Sequence, residues 1–202
     1  VQKNTLSKIR VEERLLTSLD DAVLCIQQLK EEKNVRFIQN VADLLVKTFT
    51  TGNKVLIAGN GGSLCDAAHF AEELTGFFRT KRRPLAALAL TEPGHITCTA
   101  NDLGFEYVFS RLVEALGQPG DVFVGLTTSG NSANIIRAFE SAKRLGLSTV
   151  SFLGKDGGIL RSVADFEMCI SGFKTSDRIQ EAHMTAIHTI IELVELELFE
   201  QS

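Results

Sequence analysis

The sequence predicts an α/β fold, a doubly wound five-stranded parallel sheet preceded by an N-terminal helical arm. Three observations carry that prediction. From residue 54 onward, short apolar runs alternate with stretches of helical periodicity. Most of those runs are apolar at every position, as in strands covered on both faces, and do not alternate with polar residues. Residues 3–50 contain neither Gly nor Pro, and no strand precedes them.

Within the arm, Leu15, Leu19, Val23, Ile26 and Leu29, then Phe37, Val41, Leu44, Leu45 and Phe49, recur at helical spacing. Two or three helices are expected, stopped by Thr51-Gly52-Asn53. The first strand is Lys54-Val55-Leu56-Ile57-Ala58, followed by Gly59-Asn60-Gly61-Gly62-Ser63 and a helix to about Phe78. Leu85 to Leu90 reads as a second buried strand, with short helices over 94–100 and 105–117. Asp121 to Thr127 is the third strand, and a helix over 132–145 leads to the fourth, Ser148 to Leu153. Gly154-Lys155-Asp156-Gly157-Gly158 turns into a short helix, Phe166 to Ile170 is the fifth strand, and a long helix over about 177–200 ends the chain. The expected strand order is 2-1-3-4-5, which sets the carboxyl ends of the first and third strands side by side.

The chain has 202 residues, 44% hydrophobic and 23% charged, a composition that folds and that fits one domain. The domain is expected to span 1–202, with the arm over 1–52 and the α/β core over 53–202. Lys plus Arg is 21 against 25 Asp plus Glu, so a basic nucleic-acid surface is not expected. No apolar run approaches the ~18 residues of a membrane span. The stretch Val1 to Leu6 lacks the apolar segment of a signal peptide. Cys25, Cys65, Cys98 and Cys169 form no CxxC pair, which fits reduced thiols in a cytoplasmic protein better than a disulfide framework or a zinc ribbon.

Two loops carry the chemistry. Gly59-Asn60-Gly61-Gly62-Ser63 joins a strand to a helix, where glycines let backbone N–H groups approach a ligand and the helix N-terminus adds positive charge. It is neither a Walker A loop nor a dinucleotide GxGxxG, and a plain tight turn is the competing reading. Thr127-Thr128-Ser129-Gly130-Asn131-Ser132 sits at another strand-to-helix junction. A helix N-cap needs one hydroxyl, and four hydroxyls there favour an anion cradle.

Two helical pairs add candidate acid–base or metal-binding groups. His69 and Glu73 are four residues apart, about 40° around a helix. Gln180 and His188 are eight apart, about 80° around and two turns along. Taken alone, a His/Glu pair is also compatible with a solvated helix face. His183 lies about 140° from His188 and is read as structural or interface-bound. Glu72, next to Glu73, is read as surface.

The segments GNGGSLCDAAHFAEELTG, ALTEPGHITCTANDLGFEYVFSR, TSGNSANIIRA, LGKDGG and DRIQEAHMTAIH resemble the flavodoxin-like sugar-isomerase (SIS) family, and within it the bacterial phosphoheptose isomerases. The resemblance runs over nearly the whole chain. It implies interconversion of D-sedoheptulose 7-phosphate and D-glycero-D-manno-heptose 7-phosphate through an enediol, in lipopolysaccharide heptose biosynthesis. By that resemblance Asn60, Gly61 and Gly62 contact the sugar, Asn101 and Asp102 line the site, and Thr127, Thr128, Ser129 and Ser132 surround the phosphate. His69, Glu73, Gln180 and His188 would bind one zinc ion, with Glu73 and Gln180 also touching substrate, and Glu73 and His188 would supply base and acid. Glu73 as a free base and Glu73 as a metal ligand are both compatible with the sequence. A homotetramer with sites near subunit interfaces is also implied. The competing readings are a non-catalytic sugar-phosphate binder or replication-initiator-associating protein, and the SIS portion of a hexosamine-phosphate enzyme. The His/Glu and Gln/His pairs favour the isomerase, because a binder has no use for them.

Overall fold

Val55-Leu56-Ile57-Ala58 and Val122-Phe123-Val124-Gly125-Leu126 are buried at every position in the structure, a computed structural model that describes residues 2–199 and the side chains of residues 9–199. They form β1 (Val55–Gly59) and β3 (Val122–Thr127). With β2 (Ala87–Ala89), β4 (Ser148–Gly154) and β5 (Phe166–Ile170) they make an all-parallel sheet of order β2-β1-β3-β4-β5, as expected from the sequence.

Seven α-helices are present among the described residues: α1 (Gln2–Gln27), α2 (Glu32–Thr50), α3 (Gly62–Thr75), α4 (Pro93–Asp102), α5 (Val108–Leu116), α6 (Ala133–Arg144) and α7 (Ser176–Phe199). Glu200, at the predicted end of the last helix, lies outside the described residues. Successive strand residues point to opposite faces, so β1 feeds two cores. Val55 and Ile57 join Leu45 of α2, Phe70 of α3 and Ile187 of α7 on one face. Leu56 and Ala58 join Phe109 of α5 and Phe139 of α6 on the other. Each such Leu or Phe contributes roughly 1.5–3 kcal/mol by leaving water. None of the described helices is long and apolar enough to cross a membrane.

The structure departs from expectation at the second strand. The apolar run 85–90 supplies only three strand residues, and Leu88 within it is 45% exposed. β2 has a strand neighbour on one side only, so its central residue is not enclosed as those of β1 and β3 are. Leu85 and Leu90, flanking it, are buried. The helical segments at the front also differ from each other. α2 buries Phe37, Ile38, Val41, Leu45 and Phe49 in the core, whereas α1 leaves Val11, Leu15, Leu19, Val23 and Leu24 exposed.

His183 of α7 is fully buried, with Nε2 2.9 Å from the Leu153 carbonyl, so Nε2 carries the proton and donates. Burial lowers its pKa from 6.5 to about 4, against the raising effect of the Leu153 hydrogen bond. The folded state therefore binds this proton less readily than the unfolded chain does. Stability is unaffected above pH 6.5 and is lost progressively down to about pH 4. Melting temperature measured across that window should fall less steeply in His183→Gln than in the parent chain; parallel slopes would show that His183 is not the group responsible.

Candidate active site

β1 and β3 end side by side, and each ends in a loop that opens a helix. The loops are tied to each other. The Asn60 and Asn134 amides exchange two hydrogen bonds, Nδ2 to Oδ1 in both directions, each 2.9 Å. Asn134 is 2% exposed, so this pair replaces water that both amides would otherwise need.

In the second loop, Gly130 takes a φ of +65°, and a Cβ there would lie 1.8 Å from the Gly157 carbonyl. Only glycine fits, and the loop after β4 therefore closes tightly against 127–132. The hydroxyls converge: Thr127 Oγ1 lies 3.5 Å from both Ser129 Oγ and Ser132 Oγ. The Gly130 N–H donates to Thr127 Oγ1 and the Asn131 N–H to Ser129 Oγ. Ser132 stands at the N-cap of α6 yet makes no side-chain capping bond, so capping does not explain it. These hydroxyls line a cavity of about 360 Å³ that also takes in Asn60, Gly62, Ser63 and Gln180. No charged side chain lines it. An anion there would be held by hydroxyls, backbone N–H groups and the N-terminus of α6.

Gln180 enters from α7. Its Nε2 donates to Ser63 Oγ at 3.2 Å, and a Cβ on Gly62 would meet its amide at 2.7 Å. The missing side chain at Gly62 is what lets α7 present Gln180 to the cavity.

His69, Glu73 and His188 are brought together from α3 and α7. His69 Nε2 is 3.2 Å from Glu73 Oε1 and 3.5 Å from His188 Nε2. One ligand atom from each residue lies within 4.8 Å of the other two. Two imidazole nitrogens and a carboxylate oxygen are a donor set that suits zinc, and the cluster can hold a metal ion. Burial holds the His188 imidazole below its ordinary pKa; the charge of His69 adds to this and Glu73 opposes it. A neutral imidazole can ligate a metal through one nitrogen and still carries one ring N–H to donate.

The remaining predicted residues lie apart from this group. Asn101 and Asp102, at the end of α4, are exposed, and Asn101 Nδ2 donates to Asp102 Oδ1 at 2.7 Å. Neither lines the cavity. Other neighbours escaped the sequence reading. Ser176, at the start of α7, faces Thr128 with hydroxyl oxygens 2.9 Å apart. Phe78 stacks on His188, ring centres 5.5 Å apart and planes 25° apart. Asp66, one turn before His69, has Oδ2 buried without a partner, and burial pushes its pKa up to about 6 against the lowering effect of His69. Only Asp66 left a signal, its three-residue spacing from His69.

A doubly wound sheet with a hydroxyl cradle at its switch point defines an α/β domain with a ligand crevice suited to an anion, and the SIS domain family matches residues 19–154. A phosphoheptose isomerase of Fusobacterium nucleatum is 56% identical over 174 residues, covering 86% of this chain and 89% of that protein. One from Vibrio cholerae is 48% identical over 183 residues, covering 90% and 96%. The solved phosphoheptose isomerase of Neisseria gonorrhoeae superposes with a TM-score of 0.84 at 36% identity, covering 91% of this chain and 99% of that one. The chain belongs to the phosphoheptose isomerase family of SIS-domain proteins.

Removing one cradle hydroxyl should weaken an anion's hold by about 1.5–3 kcal/mol, the worth of a hydrogen bond to a charged group. Calorimetric titration of Ser129→Ala with a sugar phosphate should therefore give a Kd raised roughly tenfold to a hundredfold. An unchanged Kd would move the phosphate elsewhere.

Proposed function

We propose that the chain is an aldose–ketose isomerase interconverting D-sedoheptulose 7-phosphate and D-glycero-D-manno-heptose 7-phosphate, in the biosynthesis of lipopolysaccharide heptose. The observation that carries the reading is the convergence of His69, Glu73 and His188 from two distant helices, on a chain whose relatives are phosphoheptose isomerases over most of its length.

In this reading the phosphate is anchored by Thr127, Thr128, Ser129 and Ser132. Asn60, Gly61, Gly62 and Gln180 contact the sugar; Asn101 and Asp102, exposed and outside the cavity of this chain, are given a substrate role by the family resemblance alone. Binding energy from the remote phosphate holds the sugar's reactive end against Glu73. The Glu73 carboxylate takes the proton from C1 of the ketose while His188 donates to the carbonyl oxygen, giving an enediol. Glu73 returns the proton to C2 while His188 takes the proton of the C1 hydroxyl, which leaves C1 as the aldehyde and restores both groups; a carboxylate and an imidazole suit these two roles near neutral pH. His69, 3.2 Å from Glu73, orients the carboxylate. His69, Glu73 and His188, with Gln180 as fourth donor, would hold one zinc ion, which when bound polarises the carbonyl.

The exposed apolar side chains of α1 are surface that other copies of the chain would cover, which supports a homotetramer. The four cysteines are unpaired, consistent with a protein that acts in the cytoplasm.

The test is turnover of sedoheptulose 7-phosphate measured against fructose 6-phosphate, with the seven-carbon sugar preferred. Glu73→Gln and His188→Gln should each lower kcat by about 10²–10⁴-fold, the usual loss on removing a general acid or base. Metal content belongs on the same samples. Near-parent turnover in both variants, with fold intact, would take the acid–base roles away from Glu73 and His188; a folded parent chain with no turnover would return it to the sugar-phosphate binders.

A further inference from the structure

The segment after α3 runs across α7 and is held there by one carboxylate. Glu195 of α7 accepts hydrogen bonds from the backbone N–H groups of Phe78, Arg79 and Thr80 at 3.0, 2.9 and 3.1 Å, and from Arg82 Nε at 2.6 Å. The Arg82 and Glu195 side chains are 1% and 2% exposed. Burial pushes the Glu195 carboxyl up, and the donors around it pull it further down, so it stays ionised.

The other edge of the Arg82 guanidinium faces the last turn of α3. Nη2 donates to the Glu73 carbonyl at 2.9 Å, and Nη1 to the Leu74 carbonyl at 2.9 Å and the Gly76 carbonyl at 3.3 Å. Carbonyls at a helix C-terminus lack intrahelical donors, and a cation there also meets the negative end of the helix dipole. One buried ion pair thus joins the end of the helix that carries His69 and Glu73 to the helix that carries Gln180 and His188.

The same carboxylate positions Phe78. Its N–H is bonded to Glu195, and its ring lies stacked on His188, which is seven residues, or about two turns, before Glu195 on one helix face. A second pair, Arg79 with Glu192, lies alongside. A buried ion pair is weak evidence of a gain in stability, because desolvation offsets much of the attraction. Fixing a geometry is a better account of this one.

We propose that Arg82, Glu195 and Phe78 are positioning residues of the isomerase: the buried Arg82–Glu195 pair sets α3 against α7 and seats the Phe78 ring on His188, fixing the imidazole relative to Glu73. The inference rests on the isomerase reading above. None of the three lines the phosphate cavity, so a positioning role affects kcat and leaves KM, set largely by the phosphate end, alone.

The experiment is steady-state kinetics on sedoheptulose 7-phosphate with the full chain, alongside melting curves. Phe78→Ala removes the ring while keeping the backbone N–H on Glu195. It should lower kcat about tenfold or more with KM within about threefold, as small misplacements of catalytic groups do. Phe78→Tyr, which keeps the ring, should restore kcat. Glu195→Gln, where it folds, should show the same split. Where it does not fold, Phe78→Ala decides alone. A folded Phe78→Ala or Glu195→Gln with the parent kcat, a loss that falls on KM, or no rescue by Phe78→Tyr overturns the proposal. An inactive parent chain would instead overturn the isomerase reading, and this inference with it.

Discussion

β1 and β3 are neighbours because the chain lays β2 at one edge of the sheet and then crosses to the other side of β1. That reversal of direction is the constraint on which the site depends. The loops leaving β1 and β3 head to opposite faces, so a crevice opens between their carboxyl ends. The glycine loop starts α3 on one face, and the hydroxyl loop starts α6 on the other. The Asn60–Asn134 amide pair spans the crevice and fixes the spacing of the two loops. Had β3 paired elsewhere, the two loops would not meet, and neither is a site by itself.

The second half of the site comes from packing on one face of that sheet. α3 and α7 lie in the same layer because Phe70, Leu74, Ile187 and Ile191 share one core. Sheet topology places the hydroxyl cradle, and helix packing places the His69, Glu73 and His188 cluster. The two are coupled at Gly62, where the absence of a side chain admits Gln180. Hydrophobic packing alone tolerates small slips between helices, and an acid–base pair does not. A buried carboxylate that accepts four bonds from the adjoining segment is the directional element that such packing lacks.

How much of this is legible in the sequence varies with the range of the interaction. β1 and β3 announce themselves because strands covered on both faces are apolar throughout. β2 is over-read for the same reason: the run Leu85 to Leu90 is equally apolar, yet its end residues are buried outside the strand. The four hydroxyls of 127–132 are a local signal, and they do converge. His69 and Glu73 are legible as a helical pair, but His188 joins them only through a contact spanning 119 residues, which no local pattern encodes. Only the resemblance to a family associates it with them in the sequence. Phe78 and Glu195 lie beyond any local pattern: a loop phenylalanine and one glutamate among several on the last helix have no spacing that marks them, and their roles emerge only once α3 and α7 are packed.

The central claim is that a proton passes from C1 to C2 of the sugar by way of the Glu73 carboxylate. Glu73 is 19% exposed, so a proton resting on it has access to solvent. The direct measurement is nuclear magnetic resonance of sedoheptulose 7-phosphate turned over in deuterium oxide. The account predicts deuterium at C2 of the aldose product and, after repeated turnovers, at C1 of the recovered ketose, with both signals suppressed in Glu73→Gln. Complete retention of the substrate's own hydrogen over many turnovers would mean a direct transfer between the carbons, and would contradict it.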